Sequence, residues 1–167
     1  MSRWVRRVSA ERGADLQGET LIAATFWQTH GSAAAQVHIG MTATSGNSVP
    51  REHAADRAAE AMASGKARQN IFEGSLAASF PEVVGILAVT DKHLIPFAYH
   101  AGFFRSRIED PTGRIPRERL ADWFWKPGFV LASFTFLFDD ESCRMIEVPR
   151  ANRPASFAAA LGIPKAG

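Results

Sequence analysis

Val83-Val84-Gly85-Ile86-Leu87-Ala88-Val89-Thr90-Asp91-Lys92-His93-Leu94-Ile95-Pro96-Phe97-Ala98-Tyr99 is the stretch on which the fold turns. Residues 83–90 are apolar on both faces of a strand. Asp91-Lys92 then supplies turn chemistry, and residues 94–99 resume with Ile95, Phe97 and Tyr99 on one face. The pattern predicts a β-hairpin covered on both sides. Pro96 has no N–H to give to a ladder, so its nitrogen is expected at an edge or a bulge.

Strands are expected on either side of that hairpin. Residues 21–27 mix β-branched, aromatic and small apolar side chains without charge and follow Gly18-Glu19 as a strand follows a turn. Residues 120–125 read as a short strand bounded by Lys126-Pro127-Gly128. Residues 129–138 read as a strand with Val130, Ala132, Phe134, Phe136 and Phe138 on one face. Asp139-Asp140-Glu141-Ser142 turns the chain into residues 144–149, where Ile146 and Val148 alternate with Met145 and Glu147, giving a second hairpin. Residues 105–119, with Asp110-Pro111-Thr112-Gly113 at their centre, read as a polar loop. At the end the period changes. Asn152 suits an N-cap, Pro154 the first helical turn, Phe157 and Leu161 are spaced i,i+4, and Gly162 suits the left-handed position beyond a short helix.

Three of the seventeen aromatics fall within residues 1–70, so the core is expected mostly beyond that point. Residues 42–70 are poor in large apolar side chains and rich in Ala, and read as a dispensable insertion carrying one surface helix. Residues 1–17 read as an N-terminal segment, and the 167 residues as a single domain.

Composition narrows the function classes. Nineteen Lys and Arg against seventeen Asp and Glu give a net charge of +2, too little to argue for nucleic acid. The single cysteine, Cys143, excludes an intramolecular disulfide and a cysteine-based zinc cluster, and fits a reducing compartment. No secretory signal and no span of about 20 apolar residues is visible, so a cytoplasmic protein is expected, with association to a membrane surface as the further reading.

The order of strand, Ala-rich insertion, hairpin, basic segment, strand, hairpin and final helix resembles the pleckstrin-homology-like (PH-like) fold of small bacterial proteins. The residues carrying the resemblance are Gly18-Glu19, the 85–97 hairpin, Phe138-Asp139-Asp140-Glu141-Ser142 and the 157–161 helix. It spans about residues 18–162 and implies a mainly β fold: a curved antiparallel sheet or partial barrel capped by a C-terminal helix. The resemblance implies a noncatalytic binding or assembly module and supplies no catalytic residue or cofactor. Here the insertion carries Arg51, Glu52, Asp56, Arg57 and Glu60, which weakens a membrane role for it.

Few residue clusters suggest chemistry. His53, Asp56 and Glu60 share one face of the expected surface helix, a spacing that permits a metal but reads first as a solvated face. Cys143 has no nucleophile signature around it. Arg105, Arg107, Arg114, Arg117 and Arg119, with Phe103 and Phe104 at the entrance of their segment, could take a phosphate or anionic lipid headgroup through their guanidinium forks. Mutual pairing with Glu109, Asp110 and Glu118 is the plainer reading. Trp4, Val5 and Val8 with Arg3, Arg6 and Arg7 suggest an interfacial helix, against a frayed or docked N-terminus. Trp123, Phe124 and Trp125 are consecutive, so a strand there must turn at least one aromatic outward, and a homo-oligomer with this segment or a strand edge at its interface is expected.

Overall fold

The computed structural model describes residues 1–29 and 69–162. Helix α1 (Arg3–Arg12) is followed by β1 (Leu21–Thr29), β2 (Val84–Thr90), β3 (His93–Ala101), β4 (Ser106–Pro111), β5 (Ile115–Pro116), β6 (Leu120–Lys126), β7 (Leu131–Phe138), β8 (Cys143–Pro149) and helix α2 (Pro154–Leu161). The strands form one antiparallel sheet in the order β4-β3-β2-β1-β8-β7-β6, with β5 also on β3. It is an open sheet, not a closed barrel: β4 lies at one end and β6 at the other.

The deciding hairpin is covered on both faces because its strands alternate between two apolar layers. Leu87, Val89 and Leu94 join Trp27, Phe134, Phe136, Ile146 and Val148 in a layer completed by Phe157 and Leu161 of α2. Ile86, Ala88, Ile95 and Phe97 join the opposite layer, completed by Trp4 and Val8 of α1 and by Leu16. A Cβ on Gly85 would lie 2.7 Å from the Phe97 carbonyl oxygen and 2.9 Å from Trp27, so the glycine admits this close packing. Pro96 sits where the outer ladder of β3 breaks: Leu94 pairs with Ile115 and Phe97 with Pro111, while the Pro96 carbonyl accepts from the Thr112 N–H at 2.8 Å.

The N-terminal segment docks as a helix. Ser2 caps it by accepting the Val5 N–H, and Trp4 and Val8, spaced i,i+4, are buried against the sheet. Trp4 stacks on Phe26 and meets Tyr99 edge-on, so its indole is part of the packed layer.

Several expectations are corrected. Residues 105–119 are not a loop. They hold β4, β5 and a 3₁₀ turn (Arg117–Arg119), because Ile108 and Ile115 are buried and anchor an otherwise charged segment to β3. Asn152 is not the N-cap of α2. It belongs to a 3₁₀ turn (Arg150–Asn152), and Arg153 takes the cap position at φ 54°. Gly162 has the expected positive φ of 89° but an extended ψ of −173° instead of the left-handed helical value. Strand β7 begins at Leu131, so Phe129 and Val130 lie before it and are exposed.

Residues 42–68 of the expected insertion, with His53, Asp56 and Glu60, lie outside the described residues. Its last two residues are placed. Asn70 bridges to Cys143 through two backbone hydrogen bonds, and the Gln69 side chain accepts the Met145 N–H at 2.9 Å. The segment that follows closes one end of the core. Asp140 accepts the Leu76 N–H, and the Ser142 hydroxyl accepts the Ala77 N–H. Together they hold Phe80 among Trp27, Phe136 and Phe138.

Candidate functional site

Strand β1 pairs with β2 from Leu21 to Gln28, but with β8 only at Gln28 and Thr29. Beyond Glu147, β8 stays with β7 as far as the Leu131–Pro149 pair and then turns into the link to α2. The two neighbouring strands therefore splay apart. From Leu21 to Trp27 that side of β1 has no strand partner among the described residues.

The splay opens a cleft of about 450 Å³ whose floor is residues 21–24 of β1. Met1 and Val5 of the N-terminal region line one wall, and Phe157 and Ala160 of α2 the other. Ile22 is 43% exposed there, unusual for a large apolar side chain inside a sheet. A smaller recess of about 260 Å³ adjoins it, sharing Met1, Ser2, Asn152 and Arg153 and adding Arg3 and Arg6. The Trp4 indole N–H donates to the Asn152 side-chain Oδ1 at 3.2 Å and ties α1 to the start of α2 across this end.

Among the described residues, no Asp or Glu lines either space. Arg3 lies over the Trp4 ring at 5.3 Å, and among the described residues Arg3, Arg6 and Arg153 have no carboxylate partner. The cleft thus combines an open strand edge, apolar walls and a cationic end. Another surface depression of about 490 Å³ differs in this respect, since its lining residues Arg12 and Asp110 pair with each other, as do Arg107 and Glu109.

The five arginines singled out in the sequence are dispersed over different partners. Arg114 reaches Glu19 and the Asp15 carbonyl, Arg117 the carbonyls of Thr90 and Leu161, and Arg119 the Asp139 carboxylate. Arg107 pairs with Glu109 and is largely exposed, and Arg105 lies exposed beside Phe103 and Phe104, both more than nine-tenths exposed. The pairing expected within the segment is thus mostly replaced by pairing to other elements, which fixes β5 and the following turn.

Glu19 is the best-connected of these partners. Burial alone would raise its pKa, but donation from Thr90, His93 and Arg114 holds it down at about 2. His93 Nδ1 lies 2.8 Å from its carboxylate, and Thr90 Oγ1 is shared between Glu19 and the His93 N–H. The cluster pins the β2–β3 turn to the segment before β1.

In the remaining candidates, Trp123 is buried, Trp125 packs partly buried against the same layer, and Phe124 on the edge strand is 55% exposed. The alternation forced by three consecutive aromatics is what turns Phe124 outward. Burial raises the pKa of the Cys143 thiol, partly countered by a hydrogen bond from the Asn70 backbone, so the thiolate is disfavoured. Among the described residues, no group of three His, Cys, Asp or Glu could hold a metal ion, and no helix is long and apolar enough to cross a membrane.

Arg3 and Arg6 stand out in the sequence as part of a basic N-terminal stretch, whereas nothing local marks Ile22 or Arg153. Their meeting depends on where β8 leaves β1, and Pro149 near that point is the one local mark of it. Comparison of the chain with family models, with curated proteins and with solved structures finds no match.

Proposed function

We propose that the chain is a noncatalytic PH-like module for binding or self-assembly, with the cleft beside β1 as its ligand site. What carries the reading is the open edge of β1 between two apolar walls with unpaired arginines at one end. The strand order and the helix against one layer support the PH-like part. Fold alone names no ligand. Titrating isotope-labelled protein with pooled random pentapeptides, and separately with inositol phosphates, tests the reading by amide shifts. Peptide-induced shifts are expected at residues 21–24 and 156–160. Shifts confined to residues 103–119 with inositol phosphates would favour the anionic-lipid alternative, centred on Arg105 and Arg107, and no shift at the cleft from either pool would overturn the module reading.

Self-assembly has its own observation. Strand β6 is a sheet edge, Phe124 points out from it, and Phe129 and Val130 at its end are 87% and 65% exposed. Uncovered edges with apolar side chains favour pairing with another copy. Light scattering after size exclusion is expected to give a multiple of 18.2 kDa at micromolar concentration, shifted to monomer by Phe124→Glu. A monomeric wild type would discard this surface.

A further inference from the structure

We propose that the cleft binds an extended acidic peptide by strand addition to β1, an inference that rests on the module reading above and names its ligand class. In an antiparallel strand, N–H and C=O groups of alternate residues point to opposite edges. The Thr29 N–H donates towards β2 at Val83, so residues in phase with Gln28, namely Phe26 and Ala24, direct their backbone groups to the other edge. At that edge β8 is present only for Gln28 and Thr29. An extended chain laid there would continue the sheet into the splay, as peptides do on open sheet edges elsewhere. At about 3.3 Å per residue, the four-residue floor of the cleft suits a peptide core of about four residues.

Successive side chains of an added strand point to opposite faces. One set would meet Val5 on the α1 side and the other Phe157 and Ala160 on the α2 side, so small or β-branched apolar side chains fit the walls. Charge decides the rest of the ligand. Arg3, Arg6 and Arg153 stand at one end with no acidic residue among the described ones in either lining, and a carboxylate accepts a guanidinium fork in two parallel hydrogen bonds. The backbone edge favours a peptide over a lipid, whose acyl chain offers no partner to N–H and C=O groups.

The probe is a fluorescein-labelled Glu-Glu-Val-Ala-Val-Ala-Glu peptide, whose four apolar residues face the two walls and whose carboxylates reach the cationic end in either strand direction, followed by anisotropy against the full chain. Saturable binding that weakens with salt is expected. The same peptide N-methylated at alternate residues is expected to bind at least about tenfold more weakly, since one of the two methylation phases removes the donors facing β1. Because this comparison uses the native protein, it does not depend on any variant folding. Exchange of the three glutamates for Gln, or the variant Arg3→Gln/Arg6→Gln/Arg153→Gln, is expected to weaken binding about tenfold. Equal affinity of both N-methylated phases and the parent peptide would overturn strand addition, and an unaffected arginine variant would overturn the acidic preference. Displacement of the peptide by phosphatidylserine vesicles would reassign the cleft to lipid. If pooled peptides shift the cleft amides but this peptide does not bind, the inference fails while the module reading stands; if neither binds, both fail.

Discussion

Arg144→Ala is expected to cost about 3 to 5 kcal/mol of folding stability, the largest effect of any single substitution of a charged residue among those described. Arg144 is 4% exposed on β8. Its guanidinium lies 5.4 Å from the centroid of Trp27 and 5.7 Å from that of Phe80, and one terminal nitrogen donates to the Pro81 carbonyl at 2.7 Å and to Thr29 Oγ1 at 3.1 Å. Burial lowers its pKa to about 10, against a smaller upward pull from Glu82, so it remains charged at neutral pH. A buried cation is expensive unless its protons are used. Here two aromatic faces and the oxygens of residues 29, 81 and 82, all reached by that one terminal nitrogen, serve it in place of a bonded carboxylate, while Nε is buried without a hydrogen-bond partner. Truncation to Ala would empty the space beside the two touching rings and take the donor from the Pro81 carbonyl, which adds a cavity to an unmet acceptor. Arg144→Lys keeps the charge without the planar fork and is expected to recover less than half of the loss. Urea melts of both variants read this directly, and a loss under about 1 kcal/mol for the Ala variant would show that the guanidinium does not support the core.

Glu19→Gln is expected to cost about 2 kcal/mol at neutral pH, discounted from a fully buried pair because Arg114 and His93 keep partial solvent access. The pH dependence is the sharper test. The folded carboxyl titrates at about 2, below its ordinary value of 4.5. A carboxylate depressed by folding contributes its full stabilisation above the unfolded value, and loses it as pH falls towards the folded one. Wild-type stability should therefore drop between about pH 4.5 and 2 more steeply than that of the Gln variant, whose side chain does not titrate. Parallel acid limbs for the two proteins would show that Glu19 is not held by Thr90, His93 and Arg114 in solution.

Arg144 also shows what the sequence contained and what it concealed. It stands in phase with Ile146 and Val148, so the period of two that places those residues in the core places Arg144 there as well. Reading residue types before phase hides it. The β2–β3 hairpin, β6, the body of β7, β8 and α2 follow from alternation, turn residues and i,i+4 spacing, all local properties. Strand β4 does not, since its pattern is charged and Ile108 is its single buried residue; its position is set by β3. Helix α1 is obscured by arginines interleaved with Trp4 and Val8, whose docking depends on Phe26 and Tyr99. The arginines of residues 105–119 are legible as a cluster in sequence, and so is the Arg107–Glu109 pair, but the partners of Arg114, Arg117 and Arg119 come from residues 15, 19, 90, 139 and 161, which no local pattern announces. The cleft is less legible still, because it arises from the divergence of two strands 114 or more positions apart in sequence.

The bridge between Asn70 and Cys143 has a topological consequence. Thr29 leaves the sheet opposite Ile146, and Asn70 returns opposite Cys143 on the same edge of β8. Three strand positions span about 10 Å, so the chain departs and re-enters through two fixed posts that stand close together. For a flexible chain between fixed ends, length enters the closure free energy only logarithmically, so a linker of about ten residues in place of the intervening 40 is expected to change closure by about 1 kcal/mol. The two posts are therefore where a chain of any other length or sequence would have to leave and rejoin the sheet.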